Sequence, residues 1–284
     1  MKILIVGAKG MLGSELAAVL GRSHSVTAWD IEEIDIADRR STIEKVRTAR
    51  PDLILNSAAL VDVDACEEKS ELAWGVNAMG AQNLALAARS LSCSYLLIST
   101  DYVFDGATSS DYDEFATTRP INVYGASKLA GERLALQLCS ATYVVRTSWL
   151  FGHRANNYVD RVLTQAKRDG VVRMATDQLE CPTYTVHLAQ GIDRLIATGA
   201  FGVYNVTGAG GCTRAEFAEF IVAAAGRSEQ VERIDASQIK RKARRPSRIV
   251  LDGRLFRLAT GAPMPDWRDG VRAYLAREAQ QTRA

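Results

Sequence analysis

Lys2-Ile3-Leu4-Ile5-Val6-Gly7-Ala8-Lys9-Gly10-Met11-Leu12-Gly13 opens the chain with an apolar run, a glycine-spaced turn and the start of a helical pattern. Lys2 to Val6 reads as a buried strand, and Met11 to Leu20 carries apolar residues at helical period. At such a junction the glycines of Gly7-x-x-Gly10-x-x-Gly13 permit a tight bend, let the backbone approach a pyrophosphate, and let helix and strand pack closely. The free N–H groups and positive dipole end of the helix, at Gly10, Met11 and Leu12, then face the phosphates. A glycine-rich segment alone is equally a structural turn. Its place in the first strand–helix unit, with Asp30 ending the second strand, points to a dinucleotide site. Asp30 can accept hydrogen bonds from the adenosine ribose hydroxyls. No arginine directly follows it to favour a 2′-phosphate, so NADH fits, while Lys9 leaves NADPH open.

Outward from this turn the same alternation repeats. Ser25 to Trp29 reads as strand, Arg40 to Ala49 as helix, Leu53 to Asn56 as strand, Glu71 to Ser90 as helix and Tyr95 to Ser99 as strand. Tyr124 to Leu138 continues as helix and Tyr143 to Arg146 as strand. This rhythm predicts an α/β fold: a Rossmann-like doubly wound parallel sheet, buried on both faces. After Phe151 the elements shorten and turns multiply, which predicts a smaller C-terminal substrate-binding domain. The expected division is 1–150 for the nucleotide-binding domain and 151–284 mainly for substrate, with a segment near 183–206 returning to the first. Asp35 and Ile36 lie where a loop would touch the adenine, and Ala58, Ala59 and Leu60 follow the third strand on the same edge. Small residues there let the backbone come close to a cofactor; ordinary tight packing explains Ala58 and Ala59 as readily.

The 284 residues, 47% hydrophobic and 24% charged, allow one large α/β domain or a nucleotide domain plus a smaller one. Thirty-five Lys and Arg against 33 Asp and Glu leave +2, so no whole-molecule field argues for nucleic acid or a membrane surface. Runs such as Leu53-Ile54-Leu55 fall far short of the ~18 apolar residues of a transmembrane helix. The start of the chain lacks the features of a secretory signal, so a cytoplasmic protein is expected. The five cysteines include no Cys-x-x-Cys pair and the three histidines stand apart, so neither disulfides nor a metal site is expected.

Tyr124-Gly-Ala-Ser-Lys128 sets a phenol and an ammonium four residues apart, on one helix face. A nearby Lys⁺ favours phenolate and would lower the tyrosine pKa from about 10 toward neutrality, so that Tyr124 exchanges a proton with a sugar oxygen. Such a pair is also common on the surface of an amphipathic helix. Thr100 separates the two readings, because it ends a strand at the carboxyl edge, where ligands bind in such sheets, and could hydrogen-bond a substrate carbonyl.

The glycine turn, Thr100 and Tyr124-x-x-x-Lys128 together resemble the extended short-chain dehydrogenase/reductases. More narrowly, the chain resembles the family of reductases acting on dTDP-4-dehydrorhamnose. That likeness is carried by Val63-Asp64 with Glu67, Val76-Asn77-Ala78, the string Ser99-Thr100-Asp101-Tyr102-Val103-Phe104-Asp105-Gly106, Ser127-Lys128-Leu129-Ala130-Gly131-Glu132 and Arg146-Thr147-Ser148-Trp149. Asp177-Gln178, Pro182-Thr183, Arg245-Pro246 and Leu251-Asp252 extend it nearly to the end of the chain. The resemblance implies a catalytic Thr100, Tyr124 and Lys128, with Tyr124 and Lys128 also at the cofactor and Lys128 on the nicotinamide ribose. It implies NADPH or NADH, a dTDP-4-dehydrorhamnose substrate, and a deoxysugar pocket of Val63, Thr100, Asp101 and Trp149. Without it, Trp149 is as readily a core aromatic. Asn157 and the loop from Asp177 to Thr183 would lie near the nucleotide, and Arg245 near the diphosphate.

The chain departs from that family in places. Leu179-Glu180-Cys181 stands where a glycine is usual, His187 where an acidic residue is common, and Ile249 in place of a serine. Some relatives bind magnesium at a dimer interface with acidic residues; Glu15 is present but its later partner is absent, so no metal and no metal-bridged dimer are expected, a homodimer of another kind staying open. The stretch Lys240 to Arg248, with six cationic side chains in nine residues, is a solvated face or a diphosphate clamp before it is a nucleic-acid site. Tyr102 after Asp101, where related dehydratases carry a glutamate, argues against dehydration. A reductase of another dTDP-4-keto-6-deoxysugar and a non-catalytic regulatory subunit of the same fold are the alternatives; joint retention of Thr100, Tyr124 and Lys128 favours an enzyme.

Overall fold

Short apolar runs rich in Ile, Leu and Val make β1 (Lys2–Val6), β2 (Ser25–Trp29), β3 (Leu53–Asn56), β4 (Ser94–Thr100) and β5 (Thr142–Thr147), and Gly202–Asn205 adds a sixth strand at the edge. The computed structural model describes residues 1–154, 157–235 and 240–281. All six strands run parallel, in the order β2-β1-β3-β4-β5 and then Gly202–Asn205. Alternate side chains along each strand point to opposite faces. Ile3, Ile5, Leu53, Leu55, Leu96 and Ile98 meet α1 (Met11–Leu20) and the helix Thr185–Ile196 on one side. Leu4, Val6, Ile54, Tyr95 and Leu97 meet the helix Ala81–Leu91 on the other. Each such side chain is worth roughly 1.5–3 kcal/mol when fully buried, so both faces need a helical cover. The doubly wound parallel sheet read from the sequence is the fold observed.

The strand order reverses between β1 and β3, which opens a crevice at their carboxyl ends. The loops after β1 and β3 therefore form its walls, and β4 and β5 extend it with the residues that follow them.

The segment read as one helix from Glu71 to Ser90 is three pieces: Ser70–Ala73, a π-helical stretch Trp74–Gly80, and Ala81–Leu91. The π stretch carries Asn77, whose side chain accepts from Leu60 N–H (2.8 Å) and donates to Leu60 C=O (3.1 Å) and Ser127 Oγ (3.1 Å). These bonds tie the helix to the loop after β3. Gly80 is needed at the end of this stretch, because a Cβ there would lie 2.6 Å from the Ile36 side chain.

Beyond Phe151 a separate core forms around Phe151, Val159, Val162, Phe217, Trp267 and Tyr274. Within that part, Val171–Ala175 pairs in parallel with Gln230–Ile234. A smaller cluster of Tyr102, Val103, Phe104, Tyr112, Ile249 and Leu251 packs the loop after β4 against the later chain. No helix among the described residues is long and apolar enough to cross a membrane.

Candidate active site

At the crevice, Gly7 adopts φ +80°, and its N–H and that of Ala8 both donate to Trp29 C=O (2.9 and 3.0 Å). A Cβ on Gly7 would fall 2.6 Å from Ala58 N, and one on Gly13 would fall 2.0 Å from Gly7 O. Two backbones thus meet where only glycine fits. Gly10 caps α1 without a side-chain hydrogen bond, and the first turn holds no acidic residue, so the helix presents uncapped N–H groups to the crevice. That cradle fits a pyrophosphate.

Asp30 stands at the lip, its carboxylate accepting from the N–H groups of Lys9 (2.7 Å) and Ile31 (2.9 Å). Together with Asp35, Ile36 and Ala58 it lines a cavity of about 270 Å³. A second cavity, of about 410 Å³, is lined by Met11, Leu12, Thr100, Tyr124, Lys128 and Trp149. Gly10, Ser57 and Ala59 line both, so the two are one continuous cleft. Leu60 lies just beyond, with both backbone polar groups held by Asn77. The cleft has two unlike ends, one polar and glycine-walled and one of reactive side chains, as a dinucleotide site requires.

At the second end, β4 delivers Thr100, the 3₁₀ turn after it (Asp101–Val103) delivers Asp101, and the helix Val123–Leu138, capped by the Asn122 side chain on Gly125 N–H (2.8 Å), delivers Tyr124 and Lys128. Gly125 lets this helix approach closely, since a Cβ there would lie 2.0 Å from Tyr102 O. Thr100 Oγ1 donates to Asp101 Oδ1 (3.0 Å) and accepts from Tyr102 N–H (3.2 Å). Ser148 Oγ donates to Asp101 Oδ2 (2.7 Å). The Tyr124 ring stands edge-on to Tyr102 at 5.9 Å.

The electrostatics differ from the sequence reading. Burial pushes the Tyr124 phenol up, opposed by a hydrogen bond with the Thr100 hydroxyl, rather than down toward neutrality. Lys128 donates to Ile98 C=O at 2.6 Å, and burial lowers it to about 8, with the Glu132 charge opposing. In this arrangement desolvation sets the direction for the phenol, while the Lys128 ammonium is turned to Ile98 C=O. Glu132 itself is sealed in by Arg146 (2.7 Å) and Ser99 (2.5 Å).

Trp149 takes the left-handed region at φ +36°, uncommon for so large a residue. The Arg214 guanidinium lies over its ring at 4.3 Å, leaving the ring as one wall of the cleft. Such strain, held in place by packing, clusters at functional sites.

The chain matches the RmlD substrate binding domain family over residues 1–280. It belongs to that family. The dTDP-4-dehydrorhamnose reductase of Burkholderia thailandensis is 35% identical over 288 residues, covering 95% of this chain and 97% of that one. The dTDP-4-keto-6-deoxy-D-glucose reductase of Streptomyces niveus is 36% identical over 267 residues, covering 93% of each. Among solved structures, the dTDP-4-dehydrorhamnose reductase of Bacillus anthracis in complex with NADP superimposes with a TM-score of 0.94 at 34% identity, covering 97% of this chain and 99% of that one.

Within this RmlD-family chain, three residues carried over by resemblance stand apart from the cleft lining. Val63 begins the short helix Val63–Glu68 and packs beside Tyr102 and Tyr124, while Val61 is the valine that lines the cavity. Asn157 caps the helix Tyr158–Asp169 and donates to Gly152 C=O (2.9 Å), Asp160 (2.7 Å) and Tyr274 OH (3.1 Å), so the fold uses all its polar atoms. Arg245 pairs with Asp64 at 3.2 Å. Its neighbours in the basic stretch behave likewise: Arg241 meets Asp177, Lys242 meets Glu68 and Arg248 meets Asp111. These pairs make the stretch an ion-paired strap rather than an open basic patch. Glu15, noted for metal binding in relatives, pairs with Arg277 at 3.0 Å. Ser148 and Arg214 carry no role in the sequence reading, although Ser148 sits inside the Arg-Thr-Ser-Trp string that carried the resemblance, and Gln178 and Glu180 enter it only as part of the loop from Asp177 to Thr183 expected near the nucleotide.

Proposed function

We propose that this chain reduces the C4 keto group of dTDP-4-dehydro-β-L-rhamnose to give dTDP-β-L-rhamnose, using NADPH or NADH. The observation that carries the reading is the convergence of Thr100, Tyr124, Lys128 and Trp149 on one cleft continuous with the Gly7–Gly13 turn. Gly10, Met11, Leu12 and Gly13 would hold the pyrophosphate, Asp30 the adenosine ribose, Asp35, Ile36, Ala58, Ala59 and Leu60 the surroundings of the adenine and phosphates, and Lys128 with Tyr124 the nicotinamide end. When bound, the reduced nicotinamide supplies a hydride. Thr100 and Tyr124 hold the substrate carbonyl oxygen. Tyr124, whose phenol burial keeps protonated, gives its proton to that oxygen as the alcohol forms. Trp149 covers the sugar ring, and Asp101 fixes Thr100 and Ser148 in place.

Residues 1–150, with the returning segment 183–206, would hold the cofactor, and the rest of 151–284 would hold the sugar nucleotide, with Val63, Asn157 and Arg245 acting through the segments they anchor. A cytoplasmic location accompanies this reading, since both proposed substrates are soluble nucleotides. A second reading, reduction of another dTDP-4-keto-6-deoxysugar, is favoured by the 36% identity to the Streptomyces niveus reductase.

The test is oxidation of NADH and NADPH with dTDP-4-dehydrorhamnose generated in situ by the preceding dehydratase and epimerase. Formation of dTDP-L-rhamnose supports the first reading. Turnover only without the epimerase supports the second, and binding of cofactor without oxidation of any dTDP-keto-sugar points to a regulatory subunit.

A further inference from the structure

Glu180 is wholly buried, lies outside the lining of the cleft, and stands within side-chain hydrogen-bond reach of Asp101. Glu180 Oε1 accepts from Gln178 Nε2 at 3.0 Å, and Gln178 is held in turn by Arg214 Nε (3.2 Å) and Tyr102 OH (3.2 Å). Glu180 Oε2 is sealed from solvent and receives no hydrogen bond. Asp101 is also buried, and its two oxygens accept from Thr100 and Ser148. As two carboxylates these buried groups would repel each other, and Oε2 would be an anionic oxygen with no donor from the protein. One proton removes both difficulties. A carboxylic acid turns Oε2 into a donor, and the carboxylate of Asp101, with about four lone-pair sites, can accept it beside its two hydroxyls.

We propose that Glu180 keeps its proton at neutral pH and gives it as a hydrogen bond to Asp101, so that Asp101 is satisfied without the Thr100 hydroxyl, which is then free to turn to the substrate carbonyl. Thr100 has a single proton, and in the structure its hydroxyl donates to Asp101 while lying within hydrogen-bond reach of Tyr124. A hydroxyl committed to a carboxylate cannot donate to a substrate at the same time. A carboxylic acid bonded to a carboxylate is among the stronger hydrogen bonds available, and it weakens the hold of Asp101 on Thr100. Glu180 is thus a positioning residue, acting on the substrate through Asp101 and Thr100.

The surroundings agree. Burial, then the charge of Asp101, hold Glu180 well above the usual carboxylate range, against the opposing charges of Arg214 and Arg245. Burial lifts Asp101 to about 6, with Ser148 and Thr100 opposing, so at neutral pH Asp101 is the ionised member. Three other titratable groups face the pair, the Tyr102 and Tyr124 phenols and the Cys181 thiol, and all are raised by burial and stay neutral.

The kinetic half of this proposal rests on the reductase reading; the protonation half does not. Infrared spectra of the substrate-free protein at neutral pH should contain the C=O stretch of a protonated carboxylic acid that disappears in Glu180→Gln. A spectrum unchanged by that substitution would mean that Glu180 is ionised, and would overturn the proposal. Glu180→Gln keeps a neutral donor of the same size and should retain kcat within about threefold, whereas Glu180→Leu keeps the bulk without the donor and should lose kcat by about tenfold, with KM for the keto-sugar much less changed. Equal losses in the two variants, or none in either, would remove the positioning role. Where Glu180→Leu does not fold, the alkaline limb of kcat serves instead: the wild type should lose activity as the pair becomes doubly charged, and Glu180→Gln should keep only the limb set by Lys128. Identical limbs would count against the proposal. A wild type inactive on every dTDP-4-keto-sugar would sink the reductase reading and leave the infrared band to decide the proton.

Discussion

At the Gly7–Gly13 end of the cleft the recognition groups are backbone N–H donors and a carboxylate at the lip, whereas at the Thr100–Tyr124–Lys128 end they are side chains in a desolvated network. The first end is defined by absence of bulk: its glycines make room and supply no functional group. The second is defined by presence, with Thr100, Asp101, Ser148 and Lys128 all buried and hydrogen-bonded. Binding and chemistry are thereby built from separable materials. Substitutions at one end should move cofactor affinity, and substitutions at the other should move turnover.

The sharpest break of that division would come from Tyr124→Phe. The substitution keeps the ring that stands against Tyr102 and removes only the hydroxyl. Turnover is expected to fall by about 10²–10⁴ while cofactor affinity holds. Steady-state oxidation of NAD(P)H alongside a fluorescence titration measures both, and a matching loss of affinity would show that the two ends are not separable.

Lys128→Met tests the same end through stability. Burial places the folded pKa of Lys128 at about 8, below its ordinary value of 10.5. Between those values the unfolded chain binds more protons than the folded one, so this group makes stability rise with pH across the window. Below about 8 both states hold the proton and the burial penalty is felt in full. Lys128→Met should therefore stabilise the fold at pH 7, by roughly 1–3 kcal/mol after the lost bond to Ile98 is offset, and abolish that part of the pH dependence. Turnover should drop on the order of a hundredfold. Urea unfolding at pH 7 and pH 10 reads the first effect; a destabilised variant would mean that the ammonium is held by more than one carbonyl.

At the opposite end, Gly13→Ala would put a methyl group 2.0 Å from Gly7 O and 2.8 Å from Ala8 Cα, both backbone atoms that cannot rotate aside. The turn must widen, at a cost of about 1–3 kcal/mol in stability. Cofactor affinity should weaken by about tenfold, with kcat at saturating cofactor preserved. A fall in kcat instead would mean that the turn also fixes the reacting end of the bound nucleotide.

How much of this was legible in the sequence follows the same division. β1, β2 and β3 span the residues read for them, and the doubly wound sheet followed from local apolar periodicity and one glycine turn. The π stretch was hidden because it accompanies long-range bonds from the Asn77 side chain to Leu60 and Ser127, contacts that no local pattern encodes. Val63 and Asn157 came from resemblance, yet Val61 lines the cavity and Asn157 is consumed by a helix cap. Glu180 was visible as a departure between Gln178 and Pro182, inside a loop expected near the nucleotide. Its meaning required the fold, which brings it to Asp101 from a distant part of the chain. The expected lowering of Tyr124 failed for a related reason: spacing puts Lys128 on the same face, but only the packed structure turns the ammonium to Ile98.

The smallest expected effect belongs to the exposed rim of the nucleotide end. Lys9 Nζ pairs with Glu32 at 2.9 Å, and that hydrogen bond raises the lysine and lowers the glutamate. The Lys9 backbone is fixed separately by its N–H on Asp30, so the side chain can change partner without disturbing the turn. In the wild type the ammonium offered to a 2′-phosphate is therefore already engaged. Glu32→Gln should release it and lower KM for NADPH by about threefold, the size expected of an exposed charge pair, with KM for NADH unchanged. Because both groups are solvated, the gain should shrink as ionic strength rises past the point where the screening length falls below about 8 Å. A rise in KM for NADH would instead place the Glu32 carboxylate on the ribose. With neither constant moved, discrimination would rest on Asp30 alone, the carboxylate fixed at the lip of the nucleotide end by the N–H groups of Lys9 and Ile31.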